Sequence, residues 1–242
     1  MAVVGAAGGG DGWLGVRVDT DVDVVEEWTR AQARVIGLVE DLPPDRAALR
    51  VPACPDWTVR DLFSHVVGLG TDVLAGDEPA DHNAVWTGRQ VALRRSLDVA
   101  ALVAEWSDAT EQMRAYLRDD PRPLGDVIIH EQDLRGALGV PGAQDTPGLR
   151  AIRDRFAPRF GGRVAELPPV ALVGQAWSWT SHGSAEDAPT VLRAPDFDLA
   201  RALVTRRSAA QLRAWTVRGD VTPYLDAFAA LGPLPAVDLT ES

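Results

Sequence analysis

Lysine is missing altogether: the 24 basic side chains in the 242 residues are all arginine. Schiff-base chemistry on a lysine, a P-loop lysine and a lysine general base are therefore excluded. Cysteine occurs once, as Cys54, so neither an intrachain disulfide nor a thiolate zinc cluster can form. Histidine is scarce, at positions 65, 82, 130 and 182. No apolar run approaches the length needed to cross a bilayer. Residues 1–19 are Gly/Ala-rich, with no basic start and no long apolar core, and do not read as a signal peptide. Positive charge is in deficit, with a net charge of −11, which gives a nucleic-acid or membrane-surface role no electrostatic support. A cytoplasmic protein without nucleic-acid or membrane partners is the expectation.

Several catalytic motifs are lacking too. HEQDL at 130–134 opens like the HExxH zinc-protease motif, but Leu134 stands where the second histidine should be. There is no G-x-S-x-G elbow. GAAGGGDG near the start has no strand before it and no helix opening after it, so it does not make a nucleotide loop.

What is present is the composition of an ordinary globular protein, 46% apolar and 24% charged. After a flexible leader at 1–19, Val24, Trp28, Ala31, Val35 and Val39 recur at helical steps until Pro43-Pro44 stops them. Thr58 is a good N-cap for a helix to about Ala75, with Asp61 as its capping-box acid. Helical patterns return over 85–97, 99–117 and 124–138, the last ended by Gly139. Long helices with one apolar face and modest links argue for a four-helix bundle over 20–146. Residues 147–242 read as a small α/β domain. It holds a helix at 149–164, strands in PPVALVGQAWSWTSHG and APTVLRAP, and helices at 196–205 and 222–231, with Asp196 a candidate cap. Trp177 and Trp179 alternate along the first of these strand segments, as core or packing residues do.

One constellation carries chemistry. His65 falls within the apolar stripe Val59, Leu62, Val66, Leu69 of the second helix, where an imidazole is either a hydrogen-bonded packing residue or a ligand. Asp126 and His130 are four apart, so they lie one above the other on a helix face. Such a pair is either a buried Asp–His hydrogen bond or two ligands of one divalent metal. His65 from a facing helix would complete a two-histidine, one-carboxylate set with open positions. Asp133 reads either as an outer partner of His130 or as a surface salt bridge, and Cys54 as a buried apolar group or a reactive thiol.

Three ordered segments carry a family resemblance. VPACPDWTVRDLFSHVVG resembles the "PCPGWTVRDLxxHL" segment of the mycothiol-dependent maleylpyruvate isomerase-like proteins of the DinB-like superfamily. DVIIHEQDLRGALG is similar to their "ExxxHxxDxxxALG" helix, and APDFDLARALVTRRSAAQLRAW to their "DLxRALxGRRS" segment. The resemblance implies a mainly α fold, a DinB-like four-helix bundle followed by a small α/β domain. It also implies a divalent metal, usually zinc, on the positions of His65, Asp126 and His130, with Asp126 where the family has glutamate. Mycothiol is the implied thiol co-substrate. An essential arginine of the family falls on Arg206, after Thr205 in place of the family's glycine, with Arg207 the other contender. The implied activity is cis–trans isomerisation of a small unsaturated acid, or transfer of the thiol to a small electrophile. A non-catalytic, metal-stabilised binding or regulatory protein is the alternative.

Overall fold

Thr58 and Asp61 cap the helix that carries His65 as their spacing foretells. In a computed structural model describing residues 22–80 and 83–241, the Thr58 side chain accepts from the Asp61 N–H, and the Asp61 carboxylate accepts from the Thr58 N–H. The leader at 1–19, GAAGGGDG and His82 lie outside the described residues. Replacing Thr58 with alanine removes one half of this box. It should cost about 1 kcal/mol of stability, read as a lower thermal midpoint.

The chain begins with α1 (Val24–Val39), whose Trp28, Ala31, Val35 and Val39 are all buried. The single turn α2 (Pro44–Ala47) follows. Next comes a short antiparallel ribbon, β1 (Arg50–Val51) and β2 (Cys54–Thr58), which the proline-rich PACPDW does not announce. Then come α3 (Val59–Ala75), α4 (Ala84–Leu93), α5 (Val99–Asp108), α6 (Thr110–Tyr116) and α7 (Arg122–Leu138). The helix expected over 99–117 is broken at Ala109 into α5 and α6. α1 packs on α7, α7 on α3, α3 on α5 and α6, and α6 returns to α1, while α4 lies against α3. Trp106 of α5 meets the edges of Trp28 and Phe63, at 6.0 and 5.7 Å between ring centres, and knits three of these helices together.

Gly139, with φ 63°, ends α7 in the left-handed region, and α8 (Pro147–Arg163) packs against α7 and α1. The rest is a four-stranded sheet in the order β4-β3-β5-β6, with short helices between its strands. It contains β3 (Val170–Val173), β4 (Ser178–Thr180) and β5 (Thr190–Arg193), then α9 (Asp196–Leu203), α10 (Ala209–Ala214) and β6 (Thr216–Arg218). β3 and β5 are parallel; the other pairs are antiparallel. A 3₁₀ turn at Thr222–Tyr224 and α11 (Leu225–Phe228) close the regular structure. One apolar cluster runs from Trp28 through α3 and α7 to Leu172, Leu192 and Phe228, so the α/β segment shares its core with the bundle. No helix among the described residues is long and apolar enough to cross a membrane.

Asp196 does not cap α9; Pro195 occupies that position with no side-chain bond. The Asp196 carboxylate instead accepts from the Ala176 N–H at 3.1 Å, tying the β3–β4 turn to α9. Gly174 makes room for it, since a Cβ there would lie 1.7 Å from Asp196 Oδ1. Trp179 packs edge-on to Phe160 at 5.8 Å, and Trp177 lies under the Arg153 guanidinium at 4.6 Å. Both are packing contacts.

Candidate metal centre

The inner faces of α3 and α7 bring His65 and His130 together. Their rings lie edge to face with centres 5.0 Å apart, and both side chains are buried. Asp126, one turn before His130, joins them: one ligand atom from each of His65, Asp126 and His130 lies within 4.8 Å of the others. The three residues that spacing and resemblance singled out thus converge at a point between two helices.

Each imidazole is held by a chain of hydrogen bonds. His65 Nδ1 lies 2.7 Å from Gln90 Oε1 on α4, and Gln90 Nε2 donates to the buried Asp72 carboxylate at 2.9 Å. A carboxylate only accepts, so the amide must present its oxygen to His65, and His65 Nδ1 must carry the proton. Gly68 lets α4 come this close, because a Cβ there would meet Gln90 Cβ at 2.6 Å. The Trp57 ring covers the other side of His65, 4.9 Å between centres.

His130 Nδ1 lies 2.9 Å from Asp133 Oδ2, within the same helix. Asp133 is wholly buried and also accepts from Arg201 Nη2 and from Arg206 Nε and Nη2, the last two at 3.0 Å. Burial pushes the Asp133 carboxyl up. The Arg206 and Arg201 guanidinium groups and His130 more than reverse this and hold it well below the usual carboxylate range. An ionised Asp133 places the proton on His130 Nδ1. With Nδ1 engaged, Nε2 is the nitrogen that each imidazole could offer a cation, the division of roles that outer carboxylates and amides impose on metal-binding histidines. Gln90→Leu should therefore weaken divalent-metal binding about 10- to 100-fold with the fold retained, as checked by metal titration beside circular dichroism.

Cys54, at the end of the ribbon, lies 3.9 Å from both Asp133 Oδ2 and Arg206 Nη2. Cys54, His130 and Asp133 form a second trio with ligand atoms within 4.8 Å of one another. Burial, then the Asp133 charge, pushes the Cys54 thiol up to about 12 despite Arg206 and Arg201. It remains a thiol at neutral pH and is no nucleophile.

Arg206 and Arg207 part company. α9 ends in a Schellman motif: the Arg206 N–H reaches the Arg201 carbonyl at 2.9 Å and the Thr205 N–H the Ala202 carbonyl at 3.0 Å. Thr205 has φ 62°, a conformation that glycine adopts without strain and a β-branched residue rarely does. Its hydroxyl donates to the Phe228 carbonyl at 2.8 Å and accepts from the Leu231 N–H at 3.0 Å, which holds a β-branched residue where it is disfavoured. The turn sends Arg206 to Asp133. Arg207 instead binds Asp198 and Glu241, both at 2.7 Å.

Sequence reasoning weighed Asp133 and passed over Gln90, Asp72, Trp57, Arg201 and Glu241. Only contacts between elements distant in sequence mark them out. Glu241 also pairs with Arg201 at 2.7 Å, and both arginines are essentially inaccessible to solvent. Glu241→Ala leaves each with one carboxylate fewer. It should cost about 3 kcal/mol, seen as a lower urea midpoint at unchanged slope.

Residues 28–133 match the family model of the mycothiol maleylpyruvate isomerase N-terminal domain. No curated protein matches the sequence significantly. Among solved structures, the chain resembles a crystal structure of a histidine-to-alanine mutant of the mycothiol-dependent maleylpyruvate isomerase. The TM-score is 0.53 at 10% sequence identity, covering 78% of this chain and 90% of that one. At that identity the likeness is one of fold, and it extends beyond the bundle into the α/β segment. Residues 28–133, which carry His65, Asp126, His130 and Asp133, are thus similar to the N-terminal domain of mycothiol maleylpyruvate isomerase, and the chain shares the fold of that isomerase structure.

Proposed function

We propose that this protein is a metal- and thiol-dependent enzyme. In this reading a divalent cation, zinc by the donor set, sits on His65, Asp126 and His130. Mycothiol is the thiol, and the substrate is a small unsaturated acid or electrophile. The observation that carries it is the convergence of three donors, two of them imidazoles whose Nδ1 atoms are already engaged by Gln90 and Asp133. Two nitrogens and one oxygen suit zinc and leave positions open. A simple packing role for His65 and His130 gives no reason for both rings to engage Nδ1 outside the trio and still meet each other beside a carboxylate.

The cation would supply positive charge that lowers the pKa of a thiol delivered beside it. The chain's own residues supply the rest. Asp133 and Gln90 keep the ring protons on Nδ1, so neither imidazole needs to reorganise during turnover. Cys54, held as a thiol, does not compete with the incoming one. Trp57 and the buried walls of α3 and α7 keep water from His65. Arg206 enters as a positioning residue, its charge keeping Asp133 ionised. Arg207 is spent on Asp198 and Glu241 and does not reach the cluster. For isomerisation the thiol adds to a cis double bond conjugated to a carbonyl, the resulting single bond rotates, and the thiol leaves. For transfer it stays attached.

Asp126, half-buried, is one methylene shorter than the family's glutamate, which suits it to a single oxygen contact. Elemental analysis of freshly purified protein tests the reading: about one divalent metal per chain is expected. Metal-free protein that cannot be loaded would overturn it. Mycothiol assayed with cis-dienoic acids and with electrophiles then separates the reactions. Isomerised acid without thiol consumption marks the isomerase, consumed thiol marks the transferase, and metal without either marks a binding protein.

A further inference from the structure

Residues 229–241 follow α11 with neither helix nor strand, yet the end of this stretch is fixed to the fold at several points. Leu239 is buried, and one side chain takes both of its backbone groups. Gln211 of α10 donates to the Leu239 carbonyl at 2.8 Å and accepts from the Leu239 N–H at 3.3 Å. Asp238 accepts from the Ser208 hydroxyl. The strap then meets α7 at Gly136, where a Cβ would lie 3.4 Å from Glu241 Cγ and 3.5 Å from the Thr240 carbonyl oxygen. Gly136 stands three residues after Asp133, so the strap lies along the helix face that carries Asp133.

A strap held this way positions its buried acid. Glu241 accepts from Arg201 Nε at 2.7 Å and from Arg207 Nη1 and Nη2 at 3.1 and 2.7 Å. Arg201 turns its other donors to α7: Nη1 donates to the Ile129 carbonyl at 3.2 Å and Nη2 to Asp133 Oδ1. Asp133 in turn holds His130 Nδ1. An unbroken path of buried groups thus runs from Glu241 through Arg201 and Asp133 to His130. Charge balances along it, with the guanidinium groups of Arg201, Arg206 and Arg207 facing the carboxylates of Asp133, Asp198 and Glu241. Without the Glu241 charge the cluster turns net positive beside the candidate cation site. Arg201 then leans on Asp133 alone, whose oxygens accept more weakly from His130.

We propose that Glu241 is a positioning residue for the metal centre, acting through Arg201 and Asp133 on His130, and that strap docking and cation binding reinforce each other. The inference rests on the metal-dependent reading above and deepens it by tying the site to a segment remote in sequence. Coupling of this kind is reciprocal: the cation affinity lost on releasing Glu241 equals the gain in docking that a bound cation gives.

Zinc serves as the probe, titrated into the metal-free full chain, with circular dichroism on each variant. Glu241→Gln keeps the shape and removes the charge. It should bind zinc about five- to tenfold more weakly than wild type, the low end of coupling between sites. Tyr224→Phe loses only the bond to the Pro168 carbonyl, away from the cluster, and should bind zinc as wild type does. In metal-free protein, the His130 Nδ1 proton resonance, assigned by its loss in His130→Ala, should move upfield in Glu241→Gln and stay in Tyr224→Phe. Saturating zinc should slow hydrogen exchange at the Leu239 N–H of wild type by about the same five- to tenfold. That measurement needs no variant and carries the test should Glu241→Gln misfold. Wild-type zinc affinity with an unmoved resonance in Glu241→Gln overturns the proposal. An equal loss of affinity in Tyr224→Phe, or Leu239 exchange indifferent to zinc, does the same. In a wild type that takes up no zinc, the metal-dependent reading falls, while a shifted resonance in Glu241→Gln keeps Glu241 as the support of His130 and an unmoved one removes both.

Discussion

Asp133→Asn is expected to destabilise the protein by about 3–5 kcal/mol, the cost of breaking a buried charge cluster from one side. The thermal midpoint should fall by roughly 6–20 °C for a chain of this size. Asparagine keeps the shape, so little of the loss is packing. What disappears is the single negative charge that faces Arg201 and Arg206 together, in a place where neither arginine can turn to water. Arg201 retains Glu241, and Arg206 retains only carbonyl and thiol partners. The same carboxylate gives the wild type an acid-sensitive term. Its pKa is lower folded than the ordinary 3.8, so its stabilisation is complete above that value and is lost as pH falls below it towards the folded pKa. A stability profile measured between pH 2 and 7 should show this limb in wild type and not in the variant. An Asp133→Asn protein as stable as wild type at neutral pH would remove Asp133 from the centre of this account.

His130→Ala should remove divalent-metal binding, and His65→Ala should do nearly the same. Each deletes one of three donors, so the loss should exceed the ~10–100-fold that follows from losing an outer partner such as Gln90. The variants differ in their second effect. His130 also gives a proton donor to Asp133, so its loss should lower stability of the metal-free protein as well. His65 has Gln90 as its partner in a chain that ends on Asp72. Its loss leaves a neutral amide, which costs less than disturbing a buried carboxylate. Metal titration and thermal unfolding of the metal-free variants, side by side, separate the two contributions. Full metal uptake by either alanine variant would mean that another trio, such as Cys54, His130 and Asp133, or none of these residues, holds the ion.

Much of this was legible in order along the chain. Thr58 with Asp61, and Gly139 after Leu138, are local signals, because caps and left-handed stops are satisfied by neighbours in sequence. The stripe Val59, Leu62, Val66, Leu69 oriented α3 and put His65 inward, and the four-residue step fixed Asp126 and His130 on one face. Strands β3 and β5 announced themselves by β-branched runs bounded by proline and glycine. The ribbon at 50–58 did not, since prolines and a short length hide strand pairing. Asp196 misled for a related reason: an acid at a helix start fits a cap equally well whether or not its carboxylate is drawn away to another turn.

The sequence by itself determined the long helices α1, α3 and α7 and their inward faces and, with the resemblance it carries, the three residues able to meet at one point. Periodicity and capping are short-range physics, readable wherever they occur. Only the tertiary structure decided which nitrogen of each imidazole is hydrogen-bonded, because Gln90 acts from a neighbouring helix and Asp133 from a buried ion cluster. It also decided the division between Arg206 and Arg207. Adjacent in sequence and alike in chemistry, they are sent to different carboxylates by one left-handed residue, Thr205. Charge pairing across a core depends on which elements pack together, and no local pattern encodes that.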